Sequence, residues 1–201
     1  MVKPNIILDL DQTLISAEPT EEYNFEKNKE KAKKFTFHNM DGYYVVFERP
    51  GLQEFLDFLF SECNVSVWTA ASKDYAMFIL EKILLTKPER SLDYAFCSYH
   101  CDISKKLQKG SKNLKLLKEH FKMEDYDLDK TFIVDDYDEV HKIQPSNAIL
   151  AEPFEFSKTG SENDDFLVKV QKKLKEKIKK DTTDIQPIVT EINKELGVVK
   201  D

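Results

Sequence analysis

Two aspartates, Asp9 and Asp11, stand two residues apart directly after the apolar run Ile6-Ile7-Leu8. The run is typical of a short buried strand, and side chains at i and i+2 tend to share a face. Two carboxylates this close repel each other unless a cation or a shared proton relieves them. A hard cation such as Mg²⁺ suits oxygen ligands, and one acid can then act as a nucleophile while the other transfers a proton. For a D-x-D pair alone, an acidic turn without chemistry is the alternative.

A second acidic pair, Asp135-Asp136, follows the apolar run 131–134, and Thr69 ends another strand-like run at 65–69. Ligand sites in open α/β sheets lie at the carboxyl ends of the strands, so these residues are expected beside the first pair. Four converging carboxylates would be very costly without a metal ion. Thr69, at a strand-to-helix turn, can hold a phosphate oxygen beside helix-terminal N–H groups, or it can simply cap the helix.

A fixed positive charge would complete such a site by offsetting negative charge on a phosphoryl group. Lys112 begins a helical pattern and can supply this charge. Nearby rivals are Lys105, Lys106 and Lys109, and a single lysine among so many is usually solvated surface.

The elements that must position these residues alternate between strand and helix. Apolar stripes with helical spacing follow Pro50 and start again at Tyr75. Candidate strands cover residues 5–9, 43–47, 65–69, 93–97, 131–135 and 147–150. This alternation predicts an α/β fold, in which helices flank a mostly parallel, Rossmann-like sheet in three layers.

Two regions stand apart from this pattern. Residues 18–34 are rich in Glu, Lys and Asn, and they are interpreted as a polar, poorly ordered excursion. Residues 161–201 carry two amphipathic helical patterns and are predicted to form a C-terminal helical extension packed on a main domain of residues 1–160. The last helix is expected either to pack on that domain or to reach a second subunit in a homodimer.

Length and composition are consistent with one domain. The 201 residues fall in the one-domain range, and the 41% hydrophobic content is enough for a core. The net charge of −7 argues against direct nucleic-acid binding, which normally needs a basic footprint. No apolar run approaches the length of a membrane span, so no membrane partner is expected. The start, Met-Val-Lys-Pro, leaves no room for a targeting peptide, which favours an intracellular location, cytoplasmic or nuclear.

The three cysteines are consistent with a reducing compartment. Cys97, His100 and Cys101 crowd together, but a structural zinc site almost always has four ligands, and no fourth ligand is evident. None of the cysteines is followed by a phosphate-cradling loop ending in arginine, so catalysis by a cysteine nucleophile is not expected.

The order of the motifs resembles that of the haloacid-dehalogenase-like phosphatases. D-L-D-x-T-L is followed by R-P-G-L-x-E-F-L, W-T-A-A-S-K-x-Y-A, a lysine and V-D-D. Within that superfamily the chain is similar, over about residues 5–154, to the RNA polymerase II C-terminal-domain phosphatase branch, also called NLI-interacting-factor-like phosphatases. That branch more often has a glutamate at the position of Gln12, a change not expected to abolish the chemistry. The resemblance also implies a small β element beside the site, with a hairpin of residues 35–37 and 43–47 around Asp41-Gly42. It further implies a small β insertion between the W-T-A-A and V-D-D motifs, an interval that is compact in this chain.

The resemblance implies roles for the first acidic pair. Asp9 matches the aspartate that attacks phosphorus and becomes an aspartyl phosphate. Asp11 matches the general acid that protonates the leaving oxygen and then activates water as a base. Asp9, and Asp11 through its backbone carbonyl, would contact a Mg²⁺ ion.

The resemblance also implies roles for the remaining residues. Thr69 and Lys112 match the groups that hold the phosphoryl oxygens. Asp136 is expected to be the direct metal ligand of the second pair, and Asp135 the catalytic partner of Lys112. Thr13 and Ala70 are expected to join the substrate-binding residues.

The function implied is a Mg²⁺-dependent serine/threonine phosphoprotein phosphatase that acts through an aspartyl phosphate. Its partner would be a phosphorylated protein or peptide, with the RNA polymerase II C-terminal domain as a candidate. Two alternatives stay open: a phosphatase for small molecules or nucleic-acid ends, and a non-catalytic phosphopeptide-binding module.

Overall fold

The computed structural model describes residues 3–178 and 182–198. Its strands in chain order are β1 (Asn5–Leu8), β2 (Ile15–Pro19), β3 (Phe37–Met40), β4 (Tyr44–Glu48), β5 (Asn64–Trp68), β6 (Ala95–Phe96), β7 (Thr131–Asp135) and β8 (Ala148–Leu150). Its α-helices are α1 (Phe25–Ala32), α2 (Leu52–Glu62), α3 (Lys73–Ile79), α4 (Ser98–Gln108), α5 (Lys115–Glu119), α6 (Asp138–Ile143), α7 (Phe166–Lys177) and α8 (Gln186–Glu195). A π-helical turn, Leu80–Leu84, continues α3.

The predicted α/β fold is confirmed. Five parallel strands form the main sheet in the order β6-β5-β1-β7-β8. All four residues of β1 are buried, as expected for a central parallel strand covered on both faces. Leu8 pairs with Val67 on one side and with Val134 on the other. The register therefore brings Asp9, the next residue, level with Asp135.

A small inserted antiparallel sheet has the order β2-β4-β3 and lies before the W-T-A-A motif, whereas the one strand described between the W-T-A-A and V-D-D motifs is β6 of the main sheet. The predicted hairpin is present, but its first strand runs over Phe37–Met40 and not over 35–37. Met40 pairs with Tyr44, and both Asp41 and Gly42 have positive φ in the turn. Strand β2, which the sequence did not predict, starts right after the D-x-D-x-T-L motif and pairs with β4. The second sheet is thereby attached directly to the loop that carries the first acidic pair.

The segment 18–34 is ordered into structure, contrary to the prediction of a polar excursion. It contains the end of β2 and the whole of α1, whose start is capped by the Asn24 side chain accepting from the Lys27 N–H. The aromatic residues on either side of this helix, Tyr23 and Phe35, pack against Phe47. The apolar contacts that hold α1 thus come mainly from outside its own polar sequence.

The C-terminal helices add their apolar faces to the main core, as their amphipathic patterns predicted. Phe166, Val170 and Leu174 of α7 and Val189 and Ile192 of α8 are buried in the same cluster as β1 and α2. A homodimer through these helices stays a prediction, as does the division at residue 160. Residues 179–181 and 199–201 of the predicted extension lie outside the described residues.

Helix α8 lies against β8, the last strand of the main sheet. The Asn193 side chain accepts from the Leu150 N–H at 3.2 Å and donates to the Ala148 carbonyl at 2.7 Å. One amide thereby satisfies a donor and an acceptor on the strand's outer edge.

None of the described helices is long and apolar enough to cross a bilayer. The intracellular location stays a prediction, and Met1 and Val2 of the start on which it rested lie outside the described residues.

Candidate active site

Three carboxylates meet at the carboxyl end of the central strands. Asp9, Asp135 and Asp136 each offer an oxygen within 4.8 Å of the other two. Asp9 is 5% exposed and Asp135 is 2% exposed, so their charges are largely removed from water. Burial and the neighbouring Asp9 carboxylate raise the pKa of Asp135 and of Asp136. This all-oxygen, charge-rich donor set fits a hard divalent cation.

Lys112 lies among the same acids. Its Nζ donates to Asp9 Oδ1 at 2.5 Å and to Asp135 Oδ2 at 2.7 Å. Burial by itself disfavours a charged lysine, but the two carboxylates outweigh it and raise the pKa of Lys112 above its ordinary value. The ammonium is therefore a permanent charge at the site. Of its sequence rivals, Lys105 also lines the cavity.

The Thr13 hydroxyl joins the two acidic segments. Its Oγ1 lies 3.0 Å from Asp9 Oδ2 and 3.1 Å from Asp136 Oδ1, and it accepts from the Asp136 N–H at 3.1 Å. With one proton, the hydroxyl donates to one carboxylate at a time. Thr13 is fully buried and does not line the cavity that opens over the acids. Its predicted contact with substrate stays a prediction.

Asp11 points away from the three-carboxylate cluster and toward α3. The Tyr75 hydroxyl donates to Asp11 Oδ1, and the Tyr75 ring packs edge-on against Tyr44. Burial raises the pKa of Asp11 and also that of Tyr75. The sequence had placed Tyr75 in a core stripe, and nothing in its spacing indicated a contact with Asp11. The predicted metal contact of the Asp11 carbonyl stays a prediction.

The loop that follows the two aspartates is tightly bent. Gln12, between Asp11 and Thr13, has φ 61°, a left-handed conformation that is uncommon for a residue with a Cβ. Its carbonyl accepts from the Phe154 N–H at 2.7 Å, and its N–H donates to the Ile15 carbonyl at 2.8 Å. Backbone contacts on both sides therefore hold this strained residue in place.

A cavity of about 620 Å³ opens over these groups. All the predicted site residues except Thr13 line it: Asp9, Asp11, Thr69, Ala70, Lys112, Asp135 and Asp136. Ser72, not Thr69, is the N-cap of α3, so the helix-cap alternative for Thr69 is wrong. The Thr69 hydroxyl accepts from the Ala71 N–H at 3.0 Å, and its proton can be donated to an oxygen in the cavity.

Arg49 contacts the loop that carries the first acidic pair. It was not predicted as a functional residue, although it begins the R-P-G motif. It is buried, and its Nη1 donates to the Thr13 carbonyl at 3.0 Å. Its Nε and Nη2 donate to Asp164 at 2.7 and 2.8 Å. The residues just before α7 are thus tied to the D-x-D loop.

Cys97, His100 and Cys101 do not bring three ligand atoms together in the structure. Cys101 is buried with its Sγ 3.6 Å from the Thr69 carbonyl, and Cys97 lies beside His100. In the described part of the chain, the only group of three or more potential ligands is the three-carboxylate cluster. Nothing in the structure therefore supports zinc at this position.

The fold and the acidic site define a haloacid-dehalogenase-like phosphatase. The model of the NLI interacting factor-like phosphatase family matches residues 4–186, and the chain belongs to that family.

Similar proteins agree with this assignment. CTD phosphatase-like proteins of Invertebrate iridescent virus 6 and Invertebrate iridescent virus 3 are each 44% identical, over 83% and 86% of this chain and 94% and 95% of their own. The solved structure of the fission yeast RNA polymerase II CTD phosphatase Fcp1 matches with a TM-score of 0.55 and 20% identity. The match covers 98% of this chain but only 56% of the Fcp1 chain, and it supports the fold.

Proposed function

We propose that the protein is a Mg²⁺-dependent phosphatase that removes phosphate from serine or threonine residues of a protein substrate through an aspartyl phosphate on Asp9. The observation that carries this proposal is the position of Asp9. Its carboxylate lies within 4.8 Å of the Asp135-Asp136 oxygens and 2.5 Å from the Lys112 ammonium, at the floor of an open cavity.

The metal would be held by the side chains of Asp9 and Asp136 and by the Asp11 carbonyl. When bound, it would offset the negative charge of the acids and of the phosphoryl group. Asp135 lies in the same cluster and is engaged by Lys112. Its contribution is to fix the ammonium in place.

In the first step, an Asp9 oxygen forms a bond to phosphorus as the bond to the substrate oxygen breaks. Asp11 donates its proton to the departing oxygen. The raised pKa of Asp11 supports this role, since a buried carboxyl keeps its proton more readily than an exposed one. Lys112 and Thr69 stabilise the negative charge on the phosphoryl oxygens.

In the second step, water attacks the phosphorus of the aspartyl phosphate. Asp11, now a carboxylate, takes the proton of that water, and the bond between phosphorus and the Asp9 oxygen breaks. Inorganic phosphate leaves, and both aspartates return to their starting states. The Tyr75 hydroxyl stabilises Asp11 in its charged form by donating to it.

A polypeptide substrate is favoured by the openness of the site. In the described residues, the segment beside the cavity is a three-stranded sheet and not a separate cap domain, so a bulky chain can approach the acids. The names of the viral relatives and of Fcp1 make the phosphorylated RNA polymerase II C-terminal domain the first candidate.

The test is a substrate panel with purified protein. An aryl phosphate should be hydrolysed with Mg²⁺ and not with EDTA, and phosphoserine or phosphothreonine peptides should be preferred to nucleotides and sugar phosphates. Asp9→Asn should abolish turnover, whereas Asp102→Asn, an exposed aspartate on α4, should not. Preference for a sugar phosphate or nucleotide would favour the small-molecule alternative. Peptide binding without turnover would favour the non-catalytic module.

A further inference from the structure

The loop that carries Lys112 is held by one side chain of α4 and by another that directly follows α6. It runs from Gly110 to Leu114, between α4 and α5. Lys112 has φ 52°, a left-handed conformation that costs free energy for any residue with a Cβ. Such a conformation persists only where the surroundings impose it. The position of the ammonium therefore depends on what fixes this loop.

Gln144 makes two hydrogen bonds to the loop, one on either side of Asn113. Its Nε2 donates to the Lys112 carbonyl at 2.9 Å, and its Oε1 accepts from the Leu114 N–H at 2.9 Å. Gln144 follows the last residue of α6, the helix that begins two residues after Asp136. The same helix therefore connects the acidic pair to the lysine loop.

Ser104 of α4 makes a similar pair of contacts. Its Oγ donates to the Gly110 carbonyl at 2.6 Å and accepts from the Asn113 N–H at 2.9 Å. Ser104 is fully buried. The two side chains thus engage Gly110, Lys112, Asn113 and Leu114 through their main-chain groups, with no contact to the lysine ammonium itself.

We propose that Gln144 is a positioning residue for Lys112. By fixing the carbonyl of Lys112 and the N–H two residues later, it keeps the ammonium within reach of both Asp9 and Asp135. Ser104 secures the opposite side of the loop. The expected effect on kcat rests on the proposed phosphatase function, whereas the position of the Lys112 ammonium does not depend on turnover.

Gln144→Met is the main test because methionine keeps the length of the side chain and removes both hydrogen bonds. We expect kcat for an aryl phosphate to fall roughly 10- to 100-fold, since small displacements of a catalytic group have effects of this size. In a Lys112→Met background the same change should alter the residual rate by no more than about twofold, because the group it positions is gone. Ser104→Ala is the second variant and should lower kcat in the same direction.

Asn193→Leu is the matched control. Asn193 is also an amide that binds one main-chain N–H and one main-chain carbonyl, but it does so at the edge of β8. Its replacement should lower Tm and leave the kcat of the folded protein unchanged. A loss of kcat that merely follows stability would affect both variants alike and would overturn the inference.

A readout independent of turnover separates this inference from the proposed function. The buried ammonium of Lys112, held by two carboxylates, should give a slowly exchanging side-chain ¹⁵N–¹H signal. We expect Gln144→Met to shift or broaden that signal and to weaken orthovanadate binding, and we expect Asn193→Leu to do neither. An unchanged Lys112 signal in Gln144→Met overturns the inference even if the wild type is an active phosphatase. A wild type without turnover overturns the proposed function, and the signal still tests the role of Gln144.

Discussion

Replacing Asp164 by alanine tests how the C-terminal region supports the site. The Arg49 side chain is 0% exposed and that of Asp164 is 21% exposed, and two hydrogen bonds of 2.7 and 2.8 Å join them. Asp164 Oδ1 also accepts from the Phe166 N–H at 3.2 Å. Asp164→Ala would leave the guanidinium buried without its counter-charge.

The expected cost follows from this burial. Breaking a buried ion pair by removing one partner typically costs about 3–5 kcal/mol. Asp164 is partly exposed, and Arg49 keeps the Thr13 carbonyl and the Phe166 ring, 4.4 Å away. We therefore expect the free energy of unfolding to fall by an amount at the lower end of this range, about 3 kcal/mol. In a chain of this size each kcal/mol lowers Tm by about 2–4 °C, which gives a fall of about 6–12 °C.

Thermal unfolding followed by circular dichroism measures this difference, and the next residue provides the control. Asp165 is 60% exposed and pairs with Lys169 one helical turn later. Asp165→Ala should cost about 0.3–0.5 kcal/mol, or less than about 2 °C. The kcat of Asp164→Ala should also fall, because Asp164 orients the guanidinium, and without it the remaining hydrogen bond holds the Thr13 carbonyl less firmly. Equal Tm values for the two variants would refute the reasoning.

Three further outcomes are expected. Tyr75→Phe should lower kcat more for an alkyl phosphate than for p-nitrophenyl phosphate, because only a poor leaving group needs the proton of Asp11; equal losses would contradict this. Adding Mg²⁺ to metal-free protein at 100 times its dissociation constant should stabilise the fold by about 2.7 kcal/mol, and Asp136→Asn should remove most of the rise in Tm. The hydrogen bonds from Lys87 and Arg90 hold the pKa of Asp57 below its ordinary value of 3.8. The stability that these hydrogen bonds give the fold is therefore present above about pH 4 and lost as the pH falls through the lowered pKa. The urea midpoint of Asp57→Asn should accordingly depend less on pH in that range than the midpoint of the wild type.

The sequence predicted the sheet and its acidic edge because the relevant signals are local. Each short apolar run ends directly in the residue that reaches the cavity, so a correct strand assignment also places Asp9, Thr69 and Asp135. The three runs form adjacent strands, in the spatial order β5-β1-β7, which differs from their order along the chain.

Contacts between distant side chains could not be predicted in this way. Tyr75 meets Asp11 across 64 residues, and Gln144 meets the Lys112 loop across 32. Tyr75 lies in an apolar helical stripe and Gln144 just beyond a short helix, so their local patterns indicate only core and surface. Their partners are determined by how α3 and α6 pack on opposite faces of the sheet.

Strand β2 and helix α1, between residues 15 and 34, were not predicted for a different reason. Strand β2 is short, half-exposed at one end and closed by Pro19, so it lacks a clear alternating pattern. Helix α1 has one buried residue of its own, Ala32. Both are stabilised by packing against β4 and its aromatic neighbours, which composition alone does not reveal.

We expect the Asn193 amide to limit self-association of the protein in solution. It occupies the hydrogen-bonding groups through which another polypeptide could extend the main sheet at β8. A variant shortened to end before α8 would expose this edge, together with the apolar surface that Val189 and Ile192 cover. Such a variant should self-associate with rising concentration, by strand addition between molecules. Helix α8 would therefore protect the protein from aggregation in addition to completing the core.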